Sequence, residues 1–265
     1  MTKDMIKKPL VSIIVPVYNR ADFIGVTLEN LVANQYRPLE IILVDDGSSD
    51  TSLSVLERFR ESQQNELFTV KVFTQSNQGA PAARNYGFLQ AKGAFIQFLD
   101  SDDLIDTNKF SEQIHSMELE SADFGLCDFQ MIYVDTNEQV YHSNAHKLKK
   151  VLKTHGSFGC GSPLLRKDLA DKISWNVRLK RNQDVDYFLK AALMSMRIAY
   201  VPKALYTYVR HSSDRISASY SKTSPVYDER IRSLRQLFGR IPNKFHAAIA
   251  LMNLYLSLFK FKLTR

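Results

Sequence analysis

Ala94-Phe95-Ile96-Gln97-Phe98-Leu99-Asp100-Ser101-Asp102-Asp103 is the stretch on which the fold turns. A short apolar run follows Gly93 and reads as a buried strand, and three carboxylates come directly after it. Like charges this close repel one another and resist desolvation, so the strand end calls for a positive partner when the site is filled. A divalent cation carrying a phosphorylated ligand meets that need, because hard cations take oxygen ligands and leave positions open for phosphate. In an open α/β sheet, ligands gather outside the carboxyl ends of the strands, where these carboxylates fall. The competing reading is local: Asp102, Asp103 or Asp106 caps a helix over residues 107–120.

Upstream, Leu10-Val11-Ser12-Ile13-Ile14-Val15-Pro16-Val17 is a continuous aliphatic strand. Pro16 has no N–H for a ladder, so the strand is expected to stop near it and Tyr18-Asn19 to open a loop. Ile24, Leu28, Leu31 and Val32 share one helical face. Glu40-Ile41-Ile42-Leu43-Val44 forms a second strand running into Asp45-Asp46-Gly47-Ser48-Ser49-Asp50, a turn and helix start. Residues 68–73 alternate as a third strand, and Asn77-Gln78-Gly79-Ala80-Pro81 opens a further helix. Strand and helix in strict alternation at short spacing predict an α/β fold with a doubly wound, mostly parallel sheet.

Beyond Asp103 the pattern loosens. Residues 123–134 read as strand, 135–154 as a polar, basic loop over the site, 183–194 as helix, 197–201 and 204–209 as two strands, and 226–238 as helix. Three glycines between Gly156 and Gly161 mark a place where backbone bends or meets a ligand. The expected division is a first half over 1–103, a second half of the same domain over 104–216, and a helical extension over 217–265.

The 265 residues are 45% hydrophobic and 24% charged, the balance of a globular chain able to bury a core. A net charge of +7 favours anionic partners without choosing among nucleotide diphosphates, acidic lipids and nucleic acid. Cys127 and Cys160 make neither a zinc spacing nor a disulfide framework. With no apolar run after the lysines near Met1 and none long enough to span a bilayer, a cytoplasmic location is expected.

The order of these motifs resembles glycosyltransferase family 2, whose members have the GT-A fold. Val15-Pro16-Val17-Tyr18-Asn19, Val44-Asp45-Asp46-Gly47-Ser48, Asn77-Gln78-Gly79 with Ala83-Arg84-Asn85, and Phe98-Leu99-Asp100-Ser101-Asp102-Asp103 carry the likeness over the first hundred residues. It continues more loosely to about residue 216 and implies a nucleotide-sugar-binding half over 1–103 and an acceptor-binding and catalytic half over 104–216. The resemblance implies an inverting, metal-dependent transferase of the bacterial surface-polysaccharide type. It would move a sugar from a nucleotide-diphosphate donor, a UDP-sugar, to a saccharide or lipid-linked acceptor. Pro16, Tyr18, Asn19, Asp45, Asp46, Asn77, Arg84, Asp100 and Ser101 would bind the donor. Tyr18 offers a ring for base stacking, Asp45 and Asp46 offer acceptors for base or ribose, and Arg84 could reach the diphosphate. Asp102 would hold Mn²⁺ or Mg²⁺, with Asp100 reaching ribose or metal through water, and His211 matches a histidine brought to the metal or diphosphate. Nucleic acid is not among the implied partners.

In Asn182-Gln183-Asp184-Val185-Asp186-Tyr187, Asp184 aligns with the family's catalytic base and Asp186 is the next candidate. Gln183 stands where the family usually has Glu, which removes a negative charge beside the base and weakens it. Two rivals remain: a degenerate member that binds sugar nucleotide without turnover, and a sugar-nucleotide pyrophosphorylase. The second would need a Gly-rich phosphate loop after the first strand, and Pro16-Val17-Tyr18-Asn19 is not one. The tail over 245–261 is apolar around most of its circumference and must be covered. The cover is the protein's own core, a second copy in a homo-oligomer, or a membrane surface at the inner face of the cytoplasmic membrane. In the last case Arg230, Arg232, Arg235, Arg240, Lys244, Lys260, Lys262 and Arg265 would meet anionic headgroups.

Overall fold

A computed structural model describes residues 8–63, 65–145, 158–211 and 224–263. Strands β1 (Val11–Val17), β2 (Leu39–Asp45), β3 (Phe68–Thr74) and β4 (Phe95–Phe98) alternate with helices α1 (Ile24–Ala33), α2 (Ser52–Ser62) and α3 (Ala80–Leu89). Then come β5 (Leu104–Ile105), α4 (Lys109–Leu119), β6 (Phe124–Tyr133), β7 (Glu138–His142), β8 (Leu164–Arg166), α5 (Lys167–Ala170), α6 (Gln183–Met194), β9 (Ile198–Arg210), α7 (Ser224–Phe238) and α8 (Lys244–Leu263). One sheet runs in the order β3-β2-β1-β4-β8-β6-β9-β5, with β7 beside β6. The pairs β1–β2, β1–β4, β2–β3 and β6–β9 are parallel. The antiparallel β8 joins the two parallel halves. This is the GT-A arrangement that the motif order implies, continued by a helical tail.

The central strands alternate between two cores. Val11, Ile13, Val15 and Val17 face Leu28 and Leu31 of α1 and the helix α4, while Ile14, Ile42, Val44 and Phe98 face α3, α6 and the tail. Pro16 does not end β1. Ile14 accepts from the Leu99 N–H on the β4 side at 3.1 Å, and Val17 accepts from the Asp46 N–H on the β2 side at 2.8 Å. By alternation the missing N–H of Pro16 falls on the β4 side, beyond the last pair, Ile14 with Phe98.

At the opposite end of these strands, Glu40 is 2% exposed. It accepts from Ser12 Oγ at 2.6 Å, Lys71 Nζ at 2.5 Å and the Lys92 N–H at 2.9 Å. Burial raises its carboxyl, but these donors outweigh burial and hold it below its ordinary value.

Three expectations are corrected. Residues 138–142 are not loop: they pair antiparallel with β6 as an edge strand, and 146–157 of the expected loop lie outside the described residues. The two strands expected at 197–201 and 204–209 are one, β9. Its Pro202 and Lys203 are extra residues between the pairs Cys127–Val201 and Asp128–Ala204, a bulge. One face of the tail has the first of its expected covers, the protein's own core: Ala247, Ala250 and Leu254 are buried against a cluster that includes Ile231, Leu234 and Ile241. Arg230 is 2% exposed and therefore unavailable to a headgroup. Among the described residues, no helix is long and apolar enough to cross a membrane.

Candidate active site

The loops after β1 and β2 are stitched together. Asn19, in the left-handed region at φ 50°, accepts on Oδ1 from the Ser49 N–H at 2.8 Å and donates its own N–H to Ser48 Oγ at 2.9 Å. Tyr18, just before it, is left 44% exposed at the carboxyl end of the sheet. Asp45 accepts from the Ser48 N–H through Oδ2 at 3.2 Å, while its buried Oδ1 has no hydrogen-bond partner. Asp46 is fully engaged. It accepts from Gln75 Nε2 at 2.7 Å and from the N–H groups of Gln78 and Gly79 at 2.9 and 2.7 Å, and so fixes the loop that opens α3. Gly47 (φ 74°) must be glycine here, because a Cβ would lie 2.8 Å from the Asn77 nitrogen. The adjacent Asp45 and Asp46 thus differ: one keeps an open acceptor, the other is structural.

The three aspartates after β4 separate in the same way. Asp100 pairs with Arg84 Nη2 at 2.6 Å. Arg84 is itself buried, lies 4.4 Å over the Trp175 ring and donates from Nη1 to Gln183 Oε1 at 3.4 Å. Gln183 thus meets Arg84 as a neutral partner beside the ionic one, Asp100. Asp102 is partly exposed; burial and the charge of Asp100 raise its carboxyl, against the pull of Arg20 and His211. The His211 ring sits 4.7 Å from Phe23. Asp103 is fully buried and accepts from the Tyr206 hydroxyl and from the Val209 N–H at 3.0 Å, which ties the carboxyl end of β4 to β9. Ser101 is buried and accepts through its carbonyl from Thr27 Oγ1 at 3.1 Å. None of the three aspartates caps α4; Asp106 makes the local turn, accepting from the Asn108 N–H at 2.8 Å.

Asp184 lies in the first turn of α6, after Asn182 enters at φ 53°. It shares a cleft of about 300 Å³ with Asp100, Phe129, Met131, Gly159, Cys160, Tyr206 and Tyr208. Asp186 does not reach it. That carboxylate is 3% exposed, pairs with Lys190 at 2.7 Å and accepts from Ser233 Oγ at 3.2 Å. Burial lowers the guanidinium of Arg230, while Asp186 and Asp184 hold it up, so α7 backs the first turns of α6 with a cation. Burial, with the charges of Asp103, Asp100 and Asp102, pushes the Tyr208 hydroxyl up to about 12, which keeps it a neutral donor. The glycines at 159 and 161 pack on the two sides of the Tyr206 ring; a Cβ on Gly159 would lie 2.6 Å from it.

The structure thus brings Asp100, Asp102, Asp184, Arg84 and His211 to one end of the sheet, with Tyr18, Asn19, Asp45 and Asn77 along the adjoining loops. Phe129, Met131, Tyr206 and Tyr208 went unassigned to the site. Their period-two spacing on two strands was visible but reads equally as core. Among the described residues no three His, Cys, Asp or Glu side chains converge to hold an ion alone. The charge of His211 acts on the Asp102 carboxyl, so a carboxylate and an imidazole, donor types that suit Mn²⁺, lie near each other.

Residues 12–179 match the family model of glycosyl transferase family 2. EpsH of Bacillus subtilis (strain 168) is 30% identical over 227 residues, 81% of this chain and 64% of that protein. WfaP of Escherichia coli, a UDP-Glc:α-D-GlcNAc-diphosphoundecaprenol β-1,3-glucosyltransferase, is 38% identical over 120 residues, 45% of this chain and 46% of that protein. The chain thus spans less than two thirds of the length of either relative. Staphylococcus aureus TarS 1–349 in complex with UDP-GlcNAc has the same fold, with TM-score 0.77 over 93% of this chain and 72% of that one at 24% identity. With residues 12–179 carrying the match, the chain belongs to glycosyl transferase family 2.

Proposed function

We propose that the protein is an inverting glycosyltransferase that moves a sugar from a UDP-sugar to a hydroxyl of a saccharide or lipid-linked acceptor in cell-surface polysaccharide synthesis. The observation that carries this is the one cleft shared by Asp184 and Asp100 at the carboxyl ends of the strands. Asp184 takes the acceptor proton as the oxygen attacks the anomeric carbon from the face opposite the diphosphate. The bond from that carbon to the diphosphate oxygen breaks, and the nucleoside diphosphate leaves with the electron pair. A single displacement inverts the configuration. Tyr18 stacks on the base, and the open Oδ1 of Asp45 accepts from a base N–H or a ribose hydroxyl. Asn19, Pro16 and Ser101 shape the surrounding turns, Asn77 lies at the lip, and Asp46 holds the loop that carries it. Arg84 acts by fixing Asp100. Asp102 and His211 would hold Mn²⁺ or Mg²⁺, which supplies positive charge to the departing diphosphate.

WfaP acts on a lipid-linked acceptor, as its name states, and a chain working beside such a lipid would sit at the inner face of the membrane. Met252, Tyr255 and Leu256 are exposed on α8 beside Arg235 and Lys244, and are the surface we assign to that contact.

The test is product mass spectrometry with a panel of nucleotide sugars and lipid-linked acceptors, on wild type and Asp184→Asn. The variant is nearly isosteric but cannot take a proton at neutral pH. Turnover should fall by at least about 10²-fold with donor affinity kept. Unchanged turnover would place the base elsewhere, and donor binding without any product would favour the degenerate, non-catalytic reading.

A further inference from the structure

The parallel strands β6 and β9 pair in register through Phe129 with Tyr206, Met131 with Tyr208 and Tyr133 with Arg210. Successive side chains of a strand alternate faces, so these six form a ladder of three rungs on one face. The inner two rungs line the cleft that holds Asp184 and Asp100. The innermost is a floor: Phe129 and Tyr206 are buried with ring centroids 5.8 Å apart, and the Tyr206 hydroxyl is committed to Asp103. Met131 and Tyr208 are only partly covered, which presents a thioether and an aromatic face to the cleft.

The third rung carries charge. The Arg210 guanidinium lies 5.0 Å over the Tyr133 ring, donates from Nη1 to the Tyr133 hydroxyl at 3.2 Å and reaches Met131 Sδ at 3.8 Å. All three contacts are to neutral groups. No ion pair involves Arg210 among the described residues, and Glu138, in register with Tyr133 on β7, makes none with it. A partly buried, well-oriented guanidinium without a counter-ion suits an arriving oxyanion. His211, the next residue, lies past the end of β9 with its ring against Phe23. An oxyanion on the acceptor, rather than on the donor, is the reading that UDP binding separates.

We propose that this ladder is the acceptor platform, and that the acceptor is a saccharide whose reducing end carries a phosphodiester or diphosphate bound by Arg210. The inference rests on the glycosyl-transfer reading above and names the acceptor class of that site. The acceptor sugar lays an apolar CH face on Tyr208 and Met131 with one hydroxyl turned to Asp184. Two residues along the strand, roughly 7 Å at the usual rise, its anomeric phosphate meets Arg210. The span is that of one sugar ring and its first phosphate.

The test uses decyl-diphosphate esters of glucose, galactose, N-acetylglucosamine and N-acetylgalactosamine, each paired with its decyl glycoside lacking phosphate. Binding to the full-length protein is measured by calorimetry with UDP and Mn²⁺ present. At least one ester should bind about tenfold or more tighter than its glycoside, the worth of a hydrogen-bonded charge pair. Arg210→Gln should erase that advantage without loss of UDP affinity, and Arg210→Lys should restore part of it. Tyr208→Ala should weaken ester and glycoside by the same factor, which an electrostatic role alone would not do. Esters that bind no better than glycosides, including no binding at all, overturn the proposal, as does an advantage that survives Arg210→Gln. UDP binding in the same preparations is scored separately: its absence from wild type would sink the donor reading, whereas UDP bound with no ester advantage sinks only this one.

Discussion

Asp100, Asp102 and Asp103 show how little the type of a side chain says about its work. Asp100 is neutralised by Arg84 at 2.6 Å, Asp102 is partly exposed, and Asp103 is sealed inside with two donors. The contrast gives a paired prediction. Asp102→Ala removes a partly exposed group with no structural partner on which the fold depends, so the melting temperature should stay within a degree or two of wild type. Mn²⁺-dependent UDP binding should fall, and EDTA should then make no further difference. Asp103→Ala strands a tyrosine hydroxyl and a backbone N–H in the interior, which costs about 1–3 kcal/mol for each group left unpaired. Thermal unfolding and UDP calorimetry on both variants check it. A large loss of stability in Asp102→Ala, or none in Asp103→Ala, would reverse the assignment.

The elements β1, β2 and β3 are held in register at their amino ends by Glu40, which collects Ser12, Lys71 and the Lys92 N–H. Its carboxyl is held below the ordinary value, about 4.5, so its contribution is complete above that pH and disappears as pH falls through the lowered one. Glu40→Gln should therefore lower stability at pH 7 by about 1.5–3 kcal/mol, the worth of charged hydrogen bonds. It should also flatten the acid side of the stability curve, measured as melting temperature between pH 3 and 7. A variant that loses stability on acidification as steeply as wild type would show that another group carries the effect. Strands such as β1, β2 and β4 were legible because an unbroken aliphatic run has no other stable home than a sheet covered on both faces. The edge strand β7 was not, since Glu138 and Gln139 are exposed and give no hydrophobic pattern. The strand β9 looked like two because the two-residue bulge at Pro202 breaks its alternation. Asp46 and Asp103 could be placed at strand ends from sequence but not told apart from Asp45 and Asp102, because only the three-dimensional structure shows which oxygens already have donors. Lys109, fully buried and donating to the Ser162 carbonyl at 3.2 Å, left no sequence signal at all.

At the scale of the whole molecule, the tail does two things with two faces. The inner face of α8, with Ala247, Ala250 and Leu254, covers the core on the side where α7 backs α6, and so stands behind the turn that carries Asp184. The outer face shows Met252, Tyr255 and Leu256, with the Arg235 guanidinium 5.2 Å over the Tyr255 ring. These faces should separate under mutation. Leu254→Ala leaves a cavity in a packed interface and should cost about 2–5 kcal/mol. For a chain of this size that lowers the melting temperature by roughly 5–15 °C. Flotation with vesicles containing anionic lipid should be unaffected as long as the variant stays folded. Met252→Glu with Leu256→Glu changes side chains that are 55% and 49% exposed, so it should hardly move the melting temperature. It should abolish flotation, because the apolar contact is lost and two negative charges meet an anionic surface. The flotation of wild type should itself weaken as salt is raised, since the basic side chains supply part of the attraction. A wild type that ignores anionic vesicles in low salt and sediments as a dimer, which the two glutamates then dissociate, would assign the outer face to a second copy of the chain. A wild type that does neither would leave α8 with its inner face alone, a cover for the core.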